Sequence, residues 1–321
     1  MNTTTDLFQT LVAAAEDAAD NLQYANAFVD AIYWDFHPVV ATPNTTLNVI
    51  IPNVNEGDVT DIGSGPLQPT DTDHDAIQIS YNRHFSTSFI IKAWDQARTP
   101  QQLSKTYVKP RMEALLRVVN RTIATQFNTT SMGTGATPIA GYSLLTGATS
   151  GYFLRSDINA AWENLVNAGV PVDSPSDLFF VTSPTAYGGM LGDSTMSYSY
   201  IVGDQAGKDA RERAKLSLTL GAEPRYDQHF GQISVANGFT SGKQPGVLAH
   251  RYAVAAVTAQ PPPTDQQKAR IDEEIVWLKD VLPVQIQMGY SLKDQGTIVN
   301  MHCYWGVAVA RPNFCSLIQS A

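Results

Sequence analysis

The stretch that decides the fold is TPQQLSKTYVKPRMEALLRVVNRTIATQF, residues 99–127. Its apolar side chains recur at helical spacing, and they are Leu103, Tyr107, Leu115, Val118, Val119, Ile123 and Phe127. Thr99 can cap the helix, with Pro100 in the first turn and Gln102 completing a capping box. The pattern predicts a helix of about 43 Å at 1.5 Å per residue. Pro110 predicts a kink within it, because proline has no N–H to donate.

The charge of this helix is strongly basic. It contains one carboxylate, that of Glu113, and five cationic side chains: Lys105, Lys109, Arg111, Arg117 and Arg121. A basic helix usually presents a solvated face, but it can also be the surface on which an acidic segment packs. The sequence leaves both interpretations open.

An acidic segment lies upstream of the helix. Residues 1–82 contain no Lys or Arg, although the chain has 21 of them and a net charge of −9. The carboxylates of this segment belong to Asp6, Glu16, Asp17, Asp20, Asp30, Asp35, Glu56, Asp58, Asp61, Asp71, Asp73 and Asp75. Such an asymmetry favours packing of the acidic segment on a basic surface, although acidic side chains also simply maintain solubility.

Part of the acidic segment predicts a projecting hairpin. Leu47–Ile51 is typical of a short strand, and apolar and polar residues alternate from Ile77 to Ile91. Residues 52–75, PNVNEGDVTDIGSGPLQPTDTDHD, are too polar to form a core between these strands. A compact domain rarely contains a structureless loop of ~20 residues, so we expect an arm that binds something. The candidate interaction residues are Glu56, Asp58, Asp61, Asp71, Asp73, Lys105, Lys109, Arg111, Arg117 and Arg121.

The rest of the chain predicts a compact α/β region and a closing β segment. Helices are expected within the first 36 residues, from Ser156 to Gly169, after Ser183-Pro184 and near 265–279. Strands are expected at Leu178–Thr182, Ile233–Ala236, Arg251–Thr258, from Val284 to Tyr290, and within Ile298–Ala310. Residues 128–151 are predicted to form a surface loop, and 204–219 an exposed helix or loop.

The motifs of common active sites match this chain poorly. Asn237–Gln244 departs from a phosphate-binding loop, which would begin with glycine and end with Ser or Thr. The acids near His74 lack the glycine of a calcium loop. The 6 histidines show no metal-ligand spacing, and the 2 cysteines, Cys303 and Cys315, are expected to be buried and reduced. We therefore expect no catalytic residue, cofactor or metal, and no membrane span.

Several local stretches are similar to one family, the major capsid proteins of tailed bacteriophages with the Hong Kong 97-type fold. The resemblance is carried by Gln101 to Arg121 as the start of the spine helix, INAAWENLVNAGVP at 158–171, LFFVTSP at 178–184, HRYAVA at 250–255 and GVAVARP at 306–312. The order of the elements also resembles that family: an arm, a hairpin, a long helix, an α/β region and closing strands. The resemblance covers roughly 30–318.

The resemblance implies the α+β class and a division into regions. Residues 1–36 would form an N-terminal arm and 37–94 the extended hairpin, or E-loop, with its flanking strands. Residues 95–130 and 271–321 would form the peripheral domain, which holds the spine helix. Residues 131–270 would form a compact axial domain.

The implied function is structural rather than enzymatic. The chain would self-assemble through hexamers and pentamers into the icosahedral head that encloses the double-stranded DNA of a tailed phage, without sequence-specific binding. The implied partners are a separate scaffolding protein, a portal and a decoration protein, with assembly in the bacterial cytoplasm and a final location in the virion. Covalent cross-linking through a hairpin lysine is not expected, because no lysine precedes Lys92. The alternatives are an encapsulin-like nanocompartment shell and a soluble α/β enzyme.

Overall fold

The computed structural model describes residues 4–20, 26–37, 46–52, 74–92, 102, 104–134, 144–171, 177–197, 216, 221–261 and 272–321. Its helices are α1 (Thr4–Asp20), α2 (Lys109–Ala124), α3 (Arg155–Asn167), α4 (Pro184–Gly192), α5 (Ser194–Ser197) and α6 (Phe230–Ile233). Its strands are β1 (Tyr33–His37), β2 (Thr46–Pro52), β3 (His74–Ser80), β4 (Arg83–Lys92), β5 (Leu145–Thr146), β6 (Leu178–Thr182), β7 (Glu223–Tyr226), β8 (Pro245–His250), β9 (Val254–Ala259), β10 (Asp272–Leu278), β11 (Leu282–Ser291), β12 (Gly296–Val309) and β13 (Cys315–Gln319).

The larger sheet is built around β12. Its strand order is β1-β9-β12-β11-β10, and β4 also pairs with β12. The strands β11, β4 and β9 all run antiparallel to β12, and β1 adds parallel to β9. Tyr304 and Trp305 pair with β9 and with β4 at the same time. These two strands therefore lie on opposite sides of β12.

The second sheet is fully buried in its centre. Its order is β5-β13-β8-β6-β7, and every residue of β6, β8 and β13 is buried. Helix α3 packs against β8 and β13. The predicted helix after Ser183-Pro184 is confirmed as α4, whose first turn is capped where the Ser183 hydroxyl accepts a hydrogen bond from the Ala186 N–H at 3.2 Å.

The chain crosses between the two sheets at two adjacent turns. The turn Arg251–Ala253 leads from β8 to β9, and the turn Pro312–Phe314 leads from β12 to β13. The Ala253 carbonyl joins them by accepting hydrogen bonds from the N–H groups of Ala310 and Arg311, at 2.9 and 3.2 Å. Both sheets thus contain strands from either side of residue 270, and the division into domains stays a prediction.

One apolar core lies between these layers. Phe28 stacks on Phe127 and meets Phe230 edge-on, each with ring centroids 5.1 Å apart. Phe127 in turn meets Phe179 of the second sheet at 6.0 Å. Burying an aromatic ring stabilises a fold by several times the thermal energy. The segment before β1, helix α2 and the second sheet are therefore tied together at this point.

The long helix differs from its prediction in regularity. Residues Ser104–Val108 are π-helical, and regular α-helix runs only from Lys109 to Ala124. Pro110 therefore lies in the first turn of α2, where its missing N–H leaves no hydrogen bond unmade. The helix is irregular just before Pro110, where the π-helical segment lies, and the kink stays a prediction. Thr99 and Pro100 lie outside the described residues.

Three further predictions near strands are wrong. Residues 272–278 form β10 rather than the end of a helix, because Lys279 and Asp280 have φ of 50° and 57° and turn the chain back into β11. Residues 233–236 continue from α6 in helical turns instead of forming a strand, since Asp227 caps that helix. Residues 26–32, where a helix was expected within the first 36 residues, lie instead in turns and a bend that lead into β1.

The long strand predicted from Ile77 to Ile91 is interrupted. Strand β3 pairs with β2 and β4 pairs with β12, so the chain changes sheets at Tyr81-Asn82. The hairpin stem is thereby confirmed, with Thr46 opposite Ser80 and Pro52 opposite His74. The strands predicted at 178–182, 284–290 and 298–310 are confirmed as β6, β11 and β12, and the helix predicted from Ser156 to Gly169 as α3. Of the segment 204–219, only Leu216 is described, and it is buried.

Candidate functional site

The predicted basic surface lies along the outer side of α2 and the π-helical segment before it. Lys105, Arg111 and Arg121 are exposed, whereas Lys109 and Arg117 are half-buried. Val118 lies on the same side and is 47% exposed. The opposite side of α2 faces the core through Met112, Leu115, Leu116, Val119, Asn120 and Ile123. We call the exposed side, defined by Lys105, Arg111, Val118 and Arg121, the basic stripe.

The predicted acidic partners lie outside the described residues. Glu56, Asp58, Asp61, Asp71 and Asp73 all fall in the hairpin tip between β2 and β3. The stem that carries this tip is described. It brings the tip's two ends together where Pro52 lies opposite His74.

The base of the hairpin lies on its own subunit's sheet. Ile79 and Tyr81 are buried in a small apolar cluster with Ala255, Val257 and Ala259 of β9. Burial, together with the nearby charge of Asp35, raises the pKa of Tyr81 to about 12. The stem is therefore anchored at one end and extends from that anchor.

A buried polar group fixes α2 to the rest of the chain. The Asn120 side chain accepts hydrogen bonds from the N–H groups of Phe28 and Val29, at 3.1 and 3.3 Å. Its amide donates to Asp227 at 2.5 Å, and both side chains are fully buried. The other oxygen of Asp227 accepts from the N–H groups of His229 and Phe230. Sequence reasoning missed this group, although an asparagine on the apolar side of a helix is a usable signal.

A second asparagine ties down the end of the same helix. The Asn237 amide donates to the carbonyls of Ala124 and Phe127, at 2.9 and 3.1 Å. The last carbonyls of a helix have no partner within it, so this amide acts as a cap. The Asn237 carbonyl in turn accepts from the N–H of Thr129. The C-terminal end of the basic stripe is thus held in a fixed orientation to the core.

A buried histidine lies on the face of the larger sheet that also carries the hairpin base. His302 forms a hydrogen bond through Nε2 to the Gln285 oxygen at 2.6 Å, and its Nδ1 lies 3.1 Å from the Asn300 amide. The Gln285 amide donates to Glu273 at 3.0 Å. These hydrogen bonds place the proton of neutral His302 on Nε2, because Nδ1 must accept from the Asn300 amide. Burial, with a smaller effect of His84, lowers the pKa of His302 to about 4.

Acid should therefore destabilise the folded chain through His302. The ordinary histidine pKa is 6.5, so as pH falls from about 6.5 to 4 the unfolded chain takes up a proton that the folded chain excludes. We expect a loss of about 1–3 kcal/mol across this window and no further loss from His302 below it. Burial also lowers the pKa of His250, which acts in the same direction.

Denaturant unfolding of the unassembled chain at pH 7 and pH 4.5 measures this effect. His302→Gln should reduce the difference between the two free energies of unfolding relative to that of the original chain. A pH dependence in His302→Gln as large as that of the original chain would contradict the assignment.

The described residues offer little for catalysis. No group of three metal-binding side chains clusters among them. Burial raises the pKa of the Cys303 thiol to about 12, which keeps it protonated, and Cys315 is also buried. Within the same residues no helix is both long and apolar enough to cross a membrane.

No family model matches the sequence, and no curated protein matches it. Solved structures match nearly its whole length. The capsid structure of cyanophage P-SCSP1u is similar with a TM-score of 0.58 and 14% identity, over 94% of this chain and 90% of that one. The capsid of Ralstonia phage GP4 gives 0.56 and 11%, over 93% and 92%. A structure from Mycobacterium phage Che8 gives 0.54 and 12%, also over 93% and 92%. These likenesses confirm the fold predicted from the sequence.

Proposed function

We propose that this chain, which has the Hong Kong 97-type fold, is the major capsid protein of a tailed phage. It acts as a structural subunit and catalyses no reaction. Copies assemble as hexamers and pentamers into an icosahedral shell around double-stranded DNA, first in the bacterial cytoplasm and then as part of the virion. A scaffolding protein, a portal and a decoration protein complete the set of proposed partners.

The observation that carries this proposal is the extent of the likeness. The matches cover 94% and 93% of this chain, and 90% and 92% of the cyanophage and Ralstonia phage capsid chains, at TM-scores of 0.58 and 0.56. A match that leaves out less than a tenth of this chain is too long to be confined to one of its two sheets. A shared α/β fragment of a soluble enzyme would leave the hairpin and the larger sheet unmatched.

The assignment of regions and domains within the subunit is part of the same proposal. Residues 1–36 serve as the arm and 37–94 as the extended hairpin. Residues 95–130 and 271–321 form the peripheral domain, and 131–270 the axial domain. The carbonyl of Ala253, which joins the two crossings between the sheets, lies where these domains meet.

Electron microscopy of the purified full-length chain tests the function. Closed shells of uniform diameter, with sedimentation far above that of a small oligomer, are expected. A chain that remains a monomer or small oligomer, both alone and when co-expressed with the phage's scaffolding protein, would refute the proposal. Shells that contain enzyme cargo instead of DNA in infected cells would favour a nanocompartment.

We further propose that the acidic hairpin tip lies over the basic stripe of a neighbouring copy. Individual exposed ion pairs contribute only about 0–1 kcal/mol, so they set register and partner choice more than affinity. The stripe suits this role because α2 is held rigidly by Asn120 and Asn237 while Lys105, Arg111 and Arg121 remain exposed.

Charge reversal tests the pairing of tip and stripe. The triple variant Glu56→Lys, Asp58→Lys and Asp61→Lys should raise the protein concentration needed for assembly by roughly tenfold at low salt, and less at high salt because ions screen the pairs. Adding Arg111→Glu and Arg121→Glu in the same chain should restore assembly.

Light scattering at two ionic strengths provides the measurement. Glu163→Lys, an exposed reversal on α3, is the matched control and should assemble normally. Assembly of the triple variant at the concentration of the original chain would refute the pairing.

A further inference from the structure

One dipeptide of this chain combines a reactive chemistry with a buried position. Asn237-Gly238 is the only place in the sequence where glycine follows asparagine. Glycine has no Cβ atom, so nothing on it hinders contact between its backbone nitrogen and the side chain of the preceding residue. The asparagine of such a pair is open to attack on its own side-chain amide.

The reaction needs no catalyst and no reagent other than water. The Gly238 backbone nitrogen forms a bond to the Asn237 Cγ atom, and the bond from Cγ to the side-chain nitrogen breaks. That nitrogen leaves as ammonia and takes the proton of the Gly238 amide. Water then opens the resulting imide ring at either of its carbonyls. The product is aspartate at position 237, linked to Gly238 through its main-chain or its side-chain carboxyl group, with no change of oxidation state.

Three features of the folded chain oppose this reaction. The Asn237 amide donates to the carbonyls of Ala124 and Phe127, at 2.9 and 3.1 Å, so two hydrogen bonds hold the leaving nitrogen. The Gly238 N–H donates to the Val235 carbonyl at 3.1 Å, which retains the proton that the attack must remove. The Asn237 side chain is 2% exposed, so water has little access to it. The folded conformation therefore keeps the site closed.

The backbone of Asn237 is held as firmly as its side chain. Its N–H donates to the carbonyls of Ile233 and Ser234, at 3.0 and 3.1 Å, and its carbonyl accepts from the N–H of Thr129 at 2.9 Å. To meet the Gly238 nitrogen, the side-chain amide must leave the carbonyls at the end of α2. Opening the site therefore requires local unfolding around the end of that helix.

The fold requires both members of the pair. Gly238 has a φ of 85°, in the left-handed region that favours glycine, and a Cβ atom there would overlap the hydroxyl oxygen of Thr129. Asn237 supplies two N–H donors to carbonyls that have no partner within the helix. Aspartate has nearly the same size, but its ionised form only accepts hydrogen bonds. Geometry therefore retains a reactive pair at this position.

We propose that Asn237-Gly238 is a self-modification site, closed in the folded chain and opened by unfolding, whose product cannot return to the native fold. Either product places a carboxylate against the carbonyls of Ala124 and Phe127 in a buried position, where an unpaired charge is strongly unfavourable. The product linked through the side chain also adds a methylene group to the main chain. A chain that stays unfolded is therefore lost, whereas a folded copy is preserved. The site is a property of the single chain and does not depend on assembly.

Peptide mass spectrometry of the full-length chain tests the closure. Samples are held in alkaline buffer with and without denaturant, and conversion at position 237 is followed in each. Conversion should be at least about a hundredfold slower in the folded chain, because it requires a buried part of the structure to open first. Equal rates in the two samples, or no conversion in denaturant, would overturn the proposal.

Two controls in denaturant assign the reaction to this pair. Asn167 is followed by Ala168, whose Cβ atom hinders the same attack, so Asn167 should convert much more slowly than Asn237. Gly238→Ala should slow the conversion of Asn237 to the rate seen at Asn167. This comparison is made between unfolded chains, so the variant does not have to fold. Conversion in Gly238→Ala at the rate of the original chain would contradict the mechanism.

Refolding tests whether the product is excluded from the native fold. After partial conversion in denaturant, the chain is diluted into buffer, and folded and unfolded pools are separated by size-exclusion chromatography. Modified chains should be confined to the unfolded pool. A folded pool that contains them in the same proportion as the starting sample would overturn this part of the proposal.

Asn237→Asp reproduces the product with main-chain linkage. It should lower the urea midpoint of unfolding by about 1 M or more, or abolish folding, because both donors of the cap are lost and a charge is buried. Asn159→Asp makes the same change at an exposed position of α3 and should leave the midpoint nearly unchanged. Equal midpoints for the two variants would show that the native fold accepts the product.

Discussion

Replacing Asn120 with leucine should destabilise the folded chain by about 3–5 kcal/mol, which is a large share of the stability of an ordinary domain. The substitution fits the volume of the site but removes every hydrogen bond of a fully buried amide. The N–H groups of Phe28 and Val29 lose their acceptor, and Asp227 loses a donor 2.5 Å away. Each buried group left without a partner costs about 1–3 kcal/mol.

Denaturant unfolding of the unassembled chain, followed by tryptophan fluorescence, measures this loss. Asn159→Leu makes the same chemical change at an exposed position of α3 and should alter the free energy of unfolding by less than about 0.5 kcal/mol. Equal stabilities for the two variants would show that the contacts of Asn120 contribute nothing net.

The second large effect is expected at Gly306, where the hairpin base crosses β12. A Cβ atom on this residue would lie 2.3 Å from the carbonyl oxygen of Ser80 and 3.1 Å from a methyl group of Ile79. The nearer atom belongs to the backbone, so no side-chain rotation relieves the overlap. Gly306→Ala should therefore cost about 2–3 kcal/mol and loosen the hairpin base from the sheet.

Limited proteolysis reports this loosening directly, because a detached stem exposes the segment around Ser80. Gly188→Ala is the matched control: a Cβ there meets no atom within 4 Å, and alanine in the exposed part of α4 should be neutral or stabilising by about 0.5–1 kcal/mol. If Gly306→Ala is cleaved no faster than the control, the close approach is not what holds the stem.

Local patterns in the sequence predicted much of this architecture. The alternation in β11, the cap at Ser183 and the apolar side of α2 each depend on neighbours within a few residues along the chain. The stem of the hairpin and the exposure of Lys105, Arg111 and Arg121 follow from the same periodicities. The hairpin tip, where the predicted acidic partners lie, falls outside the described residues.

The misread segments are those in which an adjoining turn or cap overrides the apolar pattern. DEEIVWL at Asp272–Leu278 suits a helix by composition, but the left-handed turn at Lys279 and Asp280 delivers it to β11 as a strand. Residues after Phe230 suit a strand, but the Asp227 carboxylate caps them into a helical turn. In each case one turn or one cap decided between two conformations of similar local energy.

The sequence by itself determined many of the helices and strands, the basic stripe and the acidic hairpin, because backbone periodicity and charge are properties of contiguous residues. Only the tertiary structure decided which strands share a sheet, that the hairpin base packs on β9, and that Asn120 meets Asp227 across 107 residues of chain. Those features arise when long loops close and buried polar groups find partners. The free energy that selects them depends on burial in three dimensions, which spacing along the chain does not encode.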